Sequence, residues 1–398
     1  MSGEFSSLWR GPGFRRLWLA QCASQLGDRL VFVLLVAALS QHHAPPSQLS
    51  LALALTSLPH VLLAALAGLL ADRLEARRVM RLSNMLRAVL VLGLGLFGPG
   101  QLGLAIAFAT AIAIAAQPFT PAEAALLPRA VAPERLMQAN AVSALTTVVI
   151  LVVGVSLGEP LVQQGGLWLG SLVASGAFGL GAWLLHDLPV APPSGPAPAV
   201  VPWPRQFVAG LRYLRTRGGL RRTIACQVAI VSAFAALSVV AIVVAQQVWR
   251  TGYGGLLAAC GAGLGTGAWL IGRWGPAWPR DRAIAAGFVA TGAILVALAA
   301  VGPQEQGLAF GLTFALGISA AIVGVPLQTR LQQRVEEAVR GQVFGLQQTV
   351  LNALAVVPLA GTGWLLERVG SAAVLAGLGS ALALVGLAAA CFPLPDKA

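Results

Sequence analysis

The sequence predicts an all-α membrane protein, built as twelve transmembrane helices in two halves of six. Hydrophobic residues make up 57% of the chain and charged residues only 10%, whereas a soluble protein carries about 25% charged residues. The apolar segments are continuous and rich in Leu, Ala and Gly, which is typical of membrane helices and unlike the alternating strands of a β-barrel. A chain of 398 residues can hold twelve spans of about 20 residues each.

Twelve apolar segments follow one another along the chain. The first six lie near 14–40, 49–71, 79–98, 102–120, 139–162 and 167–186. The second six lie near 222–247, 253–273, 282–301, 306–328, 342–365 and 370–393. The gap between the two sets predicts an N-terminal half, 1–186, a cytoplasmic linker, 187–221, and a C-terminal half, 222–398.

The linker is predicted from two changes of composition. Seven prolines lie within 189–204, and a proline-rich stretch is stiff and extended. After it, four apolar residues share one helical face opposite two arginines: Phe207, Val208, Leu211, Leu214, Arg205 and Arg212. This pattern predicts an amphipathic helix that lies on the cytoplasmic leaflet.

The distribution of positive charge predicts the orientation. If the N-terminus is cytoplasmic, 23 of the 26 Lys and Arg residues lie in cytoplasmic segments, Arg87 and Arg330 among them. Positive residues concentrate on the cytoplasmic side of membrane proteins, so both termini are expected there, in the inner membrane of a bacterium. The net charge of +12 then faces anionic lipid headgroups, and no nucleic-acid partner is expected.

Several kinds of chemistry are excluded by what the chain lacks. Lys397 is the only lysine, which excludes a Walker A motif, so active transport would draw on a gradient or on a partner's ATPase. The cysteines are far apart, at Cys22, Cys226, Cys260 and Cys391, and indicate neither a disulfide framework nor a zinc site. No metal and no cofactor are expected.

The two halves repeat each other. Arg273 lies 200 residues after Arg73, and Arg334 and Arg340 lie 205 residues after Arg129 and Arg135. A parallel repeat of two six-helix halves is typical of one large class of secondary transporters.

The residues GLLADRLEARR at 68–78 resemble the signature loop of the major facilitator superfamily. The matching residues are Gly68, Asp72, Arg73, Arg77 and Arg78, whereas Glu75 and Ala76 depart from the pattern. The resemblance implies the major facilitator fold and a latch that closes the cytoplasmic side. In this latch Asp72 would stabilise the N-terminus of a helix in the other half, near the eleventh span. The alternative is that the arginines only determine topology.

Three further stretches are similar to an exporter branch of this superfamily, which includes macrolide-efflux and enterobactin-efflux proteins. They lie at 118–142, 207–223 and 325–347. A fourth, AQCASQLGD at 20–28, is similar to the first span of lysophospholipid transporters. Gly154, Gly158 and Pro160 match an antiporter motif of the fifth span.

That fifth-span match is interrupted by Glu159. The interruption weakens the implication of antiport, and the glycines are explained equally well by close helix packing. Glu159 is expected near the outer end of the span, where its carboxylate can reach water.

Charged residues within the first span predict a transport pathway. Asp28 and Arg29 lie midway along it, where a charge costs at least about 2.5 kcal/mol. A polar stripe covers about 60° of the helix surface and consists of Gln21, Gln25, Asp28 and Phe32. We expect it to line a cavity, with Asp28 as the proton site and Arg29 adjusting its charge. The alternative is that Asp28 and Arg29 form a structural pair.

Other polar residues are expected to lie inside the membrane. His60 lies deep in the second span, either as a packed histidine or as part of the pathway. In the second half, the residues expected to line the cavity are Gln227, Gln328, Gln347, Gln348 and Asn352.

These features together predict a secondary active transporter. We expect a proton-coupled exporter of an amphipathic or hydrophobic small molecule that works by alternating access, and the alternative is a lysophospholipid transporter. The expected partners are this substrate, protons and membrane lipids, and the expected state is a monomer. An enzyme is not expected, because no nucleophile or metal constellation accompanies Asp28 and His60.

Overall fold

The computed structural model describes residues 12–63, 74–132, 135–188, 211–212, 217–248, 252–274, 278–335 and 340–391. Three of the signature-loop residues, Gly68, Asp72 and Arg73, lie outside the described residues. The prolines of the linker, most of its amphipathic stretch and both termini also lie outside.

The described chain is helical. Six helices precede the linker: α1 (Pro12–Gln41), α2 (Pro46–Leu62), α3 (Ala76–Phe97), α4 (Leu102–Ala116), α5 (Phe119–Ala130) and α6 (Leu136–Leu184). Five follow it: α7 (Gly218–Val243), α8 (Tyr253–Trp274), α9 (Arg280–Ala299), α10 (Gln306–Arg334) and α11 (Arg340–Cys391). A π-helical turn, Val244–Val248, continues α7. The predicted all-α class is confirmed.

Nine helical stretches of the described chain are long and apolar enough to cross a membrane. Two of them, within α6 and α11, reach 47 and 49 residues, which is more than twice the length that one crossing needs. Each is interrupted at one glycine with positive φ, Gly166 (φ 70) and Gly370 (φ 80). Only glycine adopts this conformation readily, so the helical backbone of each stretch breaks at its glycine. Every one of the twelve predicted spans overlaps a helix, and the number twelve stays a prediction.

The chain divides into two compact units. The first comprises the described residues within Met1–His43 and Leu55–Val200, and the second those within Ala44–Ala54 and Val201–Ala398. Helix α2 is therefore shared, because its first nine residues belong to the second unit and the rest to the first.

The part of α2 in the second unit is held against α11. The backbone N–H of Ser47 donates to Oε1 of Glu367 at 2.8 Å, and the Ser50 hydroxyl donates to the carbonyl of Ala360 at 3.0 Å. Gly363 lies so near the Pro46 carbonyl that an added Cβ would overlap it. The contact is therefore one of backbone against backbone.

Close packing in the first unit brings α1 against α6. A Cβ at Gly154 would lie 2.8 Å from Cβ of Arg29, and one at Gly158 would lie 2.9 Å from the Leu30 side chain. In the second unit, α8 and α10 approach more closely. A Cβ at Gly317 would overlap the carbonyl of Cys260. Small residues allow such approaches between membrane helices.

The structure corrects the expected position of Arg87. From the sequence, Arg87 was counted among the cytoplasmic residues. In the structure it lies in the middle of α3, with 1% of its surface exposed. Arg330, counted in the same way, lies in α10 and is 3% exposed. The prediction for Arg87 was wrong, because the sequence alone does not distinguish a polar loop from the buried polar face of a helix. The fourth predicted span, 102–120, is also longer in the structure, because helix α5 follows α4 and ends only at Ala130.

Candidate functional site

The candidate site is a partly buried charge network between α1 and α3, in the first unit. Nη1 of Arg87 donates to both carboxylate oxygens of Asp28, at 2.8 and 3.0 Å. Its Nη2 donates to the Ser24 hydroxyl at 2.8 Å and to Oδ1 of Asn84 at 2.6 Å. The Ser24 hydroxyl in turn donates to Oδ1 of Asn84. The guanidinium thus connects two helices through one carboxylate and two neutral oxygens.

Two aromatic rings complete the surroundings of Arg87. Its guanidinium carbon lies 4.9 Å from the ring centroid of Phe119 and 4.7 Å from that of Phe178, within the range of cation–π attraction. The side chain of Arg87 is 1% exposed and that of Asp28 is 38% exposed. Of the two partners, only the acidic one therefore has accessible surface.

The structure gives Asp28 a different partner from the one expected. Arg29, its neighbour in sequence, was expected to adjust the charge of Asp28, whereas the observed salt bridge joins Asp28 to Arg87. Nε of Arg29 makes no hydrogen bond with any described residue. Adjacent residues on a helix point about 100° apart, and this separation favours a partner on another helix.

Of the remaining residues of the polar stripe, Gln25 connects α1 to another helix. Nε2 of Gln25 donates to the Thr147 hydroxyl of α6 at 3.0 Å, and Gln21 is buried. On the adjoining face of α1, the indole of Trp18 donates to the Thr146 hydroxyl at 2.9 Å. His60, in the part of α2 that belongs to the first unit, is exposed.

An apolar cleft lies beside this network, between α1 and α6. Its volume is about 640 Å³, within the range of about 300–1,000 Å³ typical of small-molecule sites. Most of its lining is aliphatic, and Trp18, Cys22 and Thr146 are its few polar or polarisable members. The aliphatic lining consists of Leu19, Ala23, Leu26, Val142, Leu145, Val149, Ile150, Val153 and Leu180.

A second carboxylate of the first unit, Glu123 on α5, was not singled out from the sequence. It is half-buried, its charge interacts with the Cys22 thiol of α1, and no described residue forms a salt bridge or hydrogen bond with it. The repeat could have identified it. At the offset of 205 residues, Glu123 corresponds to Gln328 and Cys22 to Gln227.

The corresponding glutamines of the second unit form a closed set of hydrogen bonds. Gln227 donates to Gln328 at 2.9 Å, and Gln347 donates to both, at 2.8 and 3.0 Å. Gln227 and Gln347 are buried, and the amides satisfy one another. Two further amides that were expected to line the cavity, Gln348 and Asn352, bond to each other on the surface of α11.

The described arginines of the signature loop contact groups within the first unit. Arg77 and Arg78 both form salt bridges with Glu75, at 2.9 and 2.7 Å. Arg77 also donates to the carbonyl of His186. The neighbouring Asp187 has a lowered pKa, chiefly because His186 hydrogen-bonds its carboxylate. Glu75, the departure from the family pattern, is thus the residue that orders the two arginines.

The residues of the fifth-span motif lie in α6. Gly154 and Gly158 pack against α1, as described above. Glu159 was expected to reach water, but it is 7% exposed and accepts a hydrogen bond from Gln163 at 3.4 Å. That expectation was wrong, because packing around α6 covers the carboxylate.

The chain resembles known transporters over nearly its whole length. The sequence profile described as Major Facilitator Superfamily matches residues 17–359. An uncharacterised transporter of this type, YfiS of Bacillus subtilis, is 27% identical, and the alignment covers 90% of this chain and 88% of YfiS. The enterobactin exporter EntS of Citrobacter koseri is 28% identical, with 93% of this chain and 90% of EntS covered.

Solved structures show the same fold at low sequence identity. A variant of the nucleoside transporter NupG superposes with a TM-score of 0.75 at 12% identity, covering 94% of this chain and 99% of its own. A bacterial homologue of the human lysosomal transporter Spinster gives 0.71 at 15% identity, with 96% of each chain covered. The profile match, the relatives and the fold agree, and the chain belongs to the Major Facilitator Superfamily of membrane transporters.

Proposed function

We propose that this transporter exports an amphipathic or hydrophobic small molecule, of the drug or siderophore type, from the bacterial cytoplasm. It works as a monomer in the inner membrane, by alternating access driven by protons. The apolar cleft between α1 and α6 carries this proposal. Its volume of about 640 Å³ and its aliphatic lining fit a poorly water-soluble molecule, because burial of apolar surface supplies most of the binding energy. The similarity to EntS supports export as the direction.

Transport of a lysophospholipid is the second candidate. Several large apolar residues that line the cleft are exposed, including Leu19, Leu145 and Val153. The cleft is therefore open along one side, so an acyl chain could lie along these residues while its headgroup stays outside. A drug-like molecule would bind in the same cleft, and direct binding measurements separate the two.

Proton coupling is proposed to act at Asp28. The carboxylate is accessible, whereas its partner Arg87 is buried, so a proton that enters the site reaches the acid alone. Protonation neutralises Asp28. The guanidinium of Arg87 then has only neutral partners, which are Ser24, Asn84 and the rings of Phe119 and Phe178. A buried cation without its counter-ion is costly, so the protonated site favours a different arrangement of α1 and α3. This coupling of charge to conformation is what a proton-driven transporter requires.

Purified protein in liposomes tests the function. Enterobactin, a lipophilic fluorescent dye and a lysophosphatidylglycerol are first screened for thermal stabilisation of the protein, because a ligand that binds only the folded state raises its stability. For the molecule that binds, we expect saturable flux that increases with an imposed pH gradient. Flux that does not respond to any gradient would refute proton-driven export, and binding of the lysolipid alone would select the second candidate.

Variants at the two carboxylates test the proton site. Asp28→Asn should abolish the gradient-driven flux while the uncharged substrate still binds, and Asp28→Glu should keep partial activity with a displaced pH profile. Glu123→Gln is the matched control, since it neutralises another carboxylate of the first unit and reproduces the residue at the corresponding position of the second unit. If Asp28→Asn keeps normal pH dependence, the proton site lies elsewhere, and Glu159 and then His60 would be tested.

A further inference from the structure

A cationic pocket lies at one end of the second unit, apart from the transport site. Its volume is about 820 Å³, and its lining comes from the start of α9, the end of α10 and the end of α11. The lining residues are Pro279, Arg280, Asp281, Arg282, Arg330, Gln333, Arg334, Ala389 and Ala390. Four arginines and one aspartate give this lining a net charge of +3.

The described contacts of the pocket leave the positive charges of Arg280 and Arg282 available. Asp281 forms a salt bridge with Arg330, whose side chain is 3% exposed, so the single acidic group is already paired with the most buried arginine. Arg280 donates to Oε1 of Gln333 at 2.8 Å, a neutral partner that leaves its charge intact. The pocket is therefore suited to an anion. Phosphate fits best, because guanidinium groups bind phosphate oxygens with two parallel hydrogen bonds.

The position of the pocket indicates where such a phosphate comes from. Helices α9, α10 and α11 each contain a candidate membrane span, and the pocket lies where these helices end. Ala390 lines the pocket, and the exposed residues Leu387 and Leu384 precede it at intervals of three along α11, which places the three on one face. The pocket thus offers cationic groups at the level of lipid headgroups and an apolar stripe that leads into the membrane.

We propose that this pocket binds one anionic phospholipid. The arginines hold the phosphate, and an acyl chain lies along the stripe of Leu384 and Leu387. The predicted orientation puts this end of the unit on the cytoplasmic side, where anionic lipids attract clusters of basic residues. The site is independent of the proposed transport activity, because none of its residues lies in the first unit.

Lipid binding to the purified, delipidated full-length protein tests the proposal. Native mass spectrometry measures the affinity for phosphatidylglycerol, for phosphatidylcholine with the same acyl chains, and for glycerol 3-phosphate. The test variant is Arg280→Gln/Arg282→Gln, in which both changed residues are exposed. Arg221→Gln/Arg222→Gln is the control, because it removes two exposed arginines at the start of α7 in the same unit and outside the pocket.

We expect wild-type protein to bind phosphatidylglycerol about tenfold more tightly than phosphatidylcholine, and the pocket variant to lose this preference. The control variant should keep it. Equal binding of the two lipids, or equal loss in both variants, would overturn the proposal. Tight binding of glycerol 3-phosphate would also overturn it, because the pocket would then hold a free anion. If the pocket variant does not fold, the preference of the wild-type protein for phosphatidylglycerol over phosphatidylcholine decides.

Discussion

Asp28→Ala is expected to destabilise the folded protein by about 3–5 kcal/mol, the usual cost of leaving a buried charge without its partner. The change removes the only carboxylate among the described residues that pairs with Arg87. Arg87 is 1% exposed, so the variant would leave its charge in the interior without a counter-ion. The apparent melting temperature in detergent, followed with a thiol-reactive dye, measures the effect.

Arg87→Met and the double variant Asp28→Ala/Arg87→Met provide the control. Arg87→Met should cost less than Asp28→Ala, because the carboxylate that remains is 38% exposed and can be hydrated. The double variant should be more stable than Asp28→Ala alone, since it leaves no unpaired charge. Effects that simply add would contradict a direct ion pair, because residues in contact depart from additivity by about 0.5–3 kcal/mol.

Gly317→Ala is expected to prevent normal packing of α8 against α10. The added methyl group would overlap the Cys260 carbonyl and approach the Leu264 nitrogen within 2.7 Å. Both are backbone atoms, so no rotation of a side chain relieves the overlap and the two helices must separate. Overpacking typically costs about 1–3 kcal/mol, and backbone contact puts this site at the upper end. We expect a lower melting temperature and a lower yield of monodisperse protein.

Gly324→Ala is the matched control on the same helix. Apart from the adjacent residues and the backbone of α10 itself, no atom of the described residues lies within 4 Å of a Cβ added at this position. Alanine is favoured over glycine in a helix by about 0.5–1 kcal/mol, so this variant should be as stable as wild type or slightly more so. A similar loss of stability in both variants would show that α10 needs glycine for a reason other than contact with α8.

The helical architecture could be predicted because long apolar runs carry a strong signal. Each predicted span overlaps a helix, and the breaks at Gly166 and Gly370 lie in or next to the gaps between predicted spans. The end of α5 could not be predicted in the same way. Residues 119–130 combine apolar and polar side chains, and their helix is stabilised by burial of Phe119, Ala122 and Leu126, which depends on contacts from distant parts of the chain.

The charge network could be predicted only in part. Asp28 stands out because a carboxylate inside an apolar run is unusual. Arg87 was missed because a polar stretch precedes it, so it resembled the end of a loop. Asn84 and Arg87 are three residues apart on one face of α3, and this spacing was the available signal. The partner itself, 59 residues from Asp28, is set by packing of two helices and has no local signature.

The division of α2 between the units affects how the chain could be cut. Fragments made by breaking the backbone between the halves would not be self-sufficient. The first fragment would contain Ser47 and Ser50, and the second would contain their partners Glu367 and Ala360. In the second fragment, the surface around Gly363 would lose its contact with α2. For the two fragments to reassemble, Ala44–Ala54 of the first fragment would have to bind to the second fragment. Eleven residues that precede the linker in the chain thus belong to the second unit. Association of the two fragments would therefore depend on that segment.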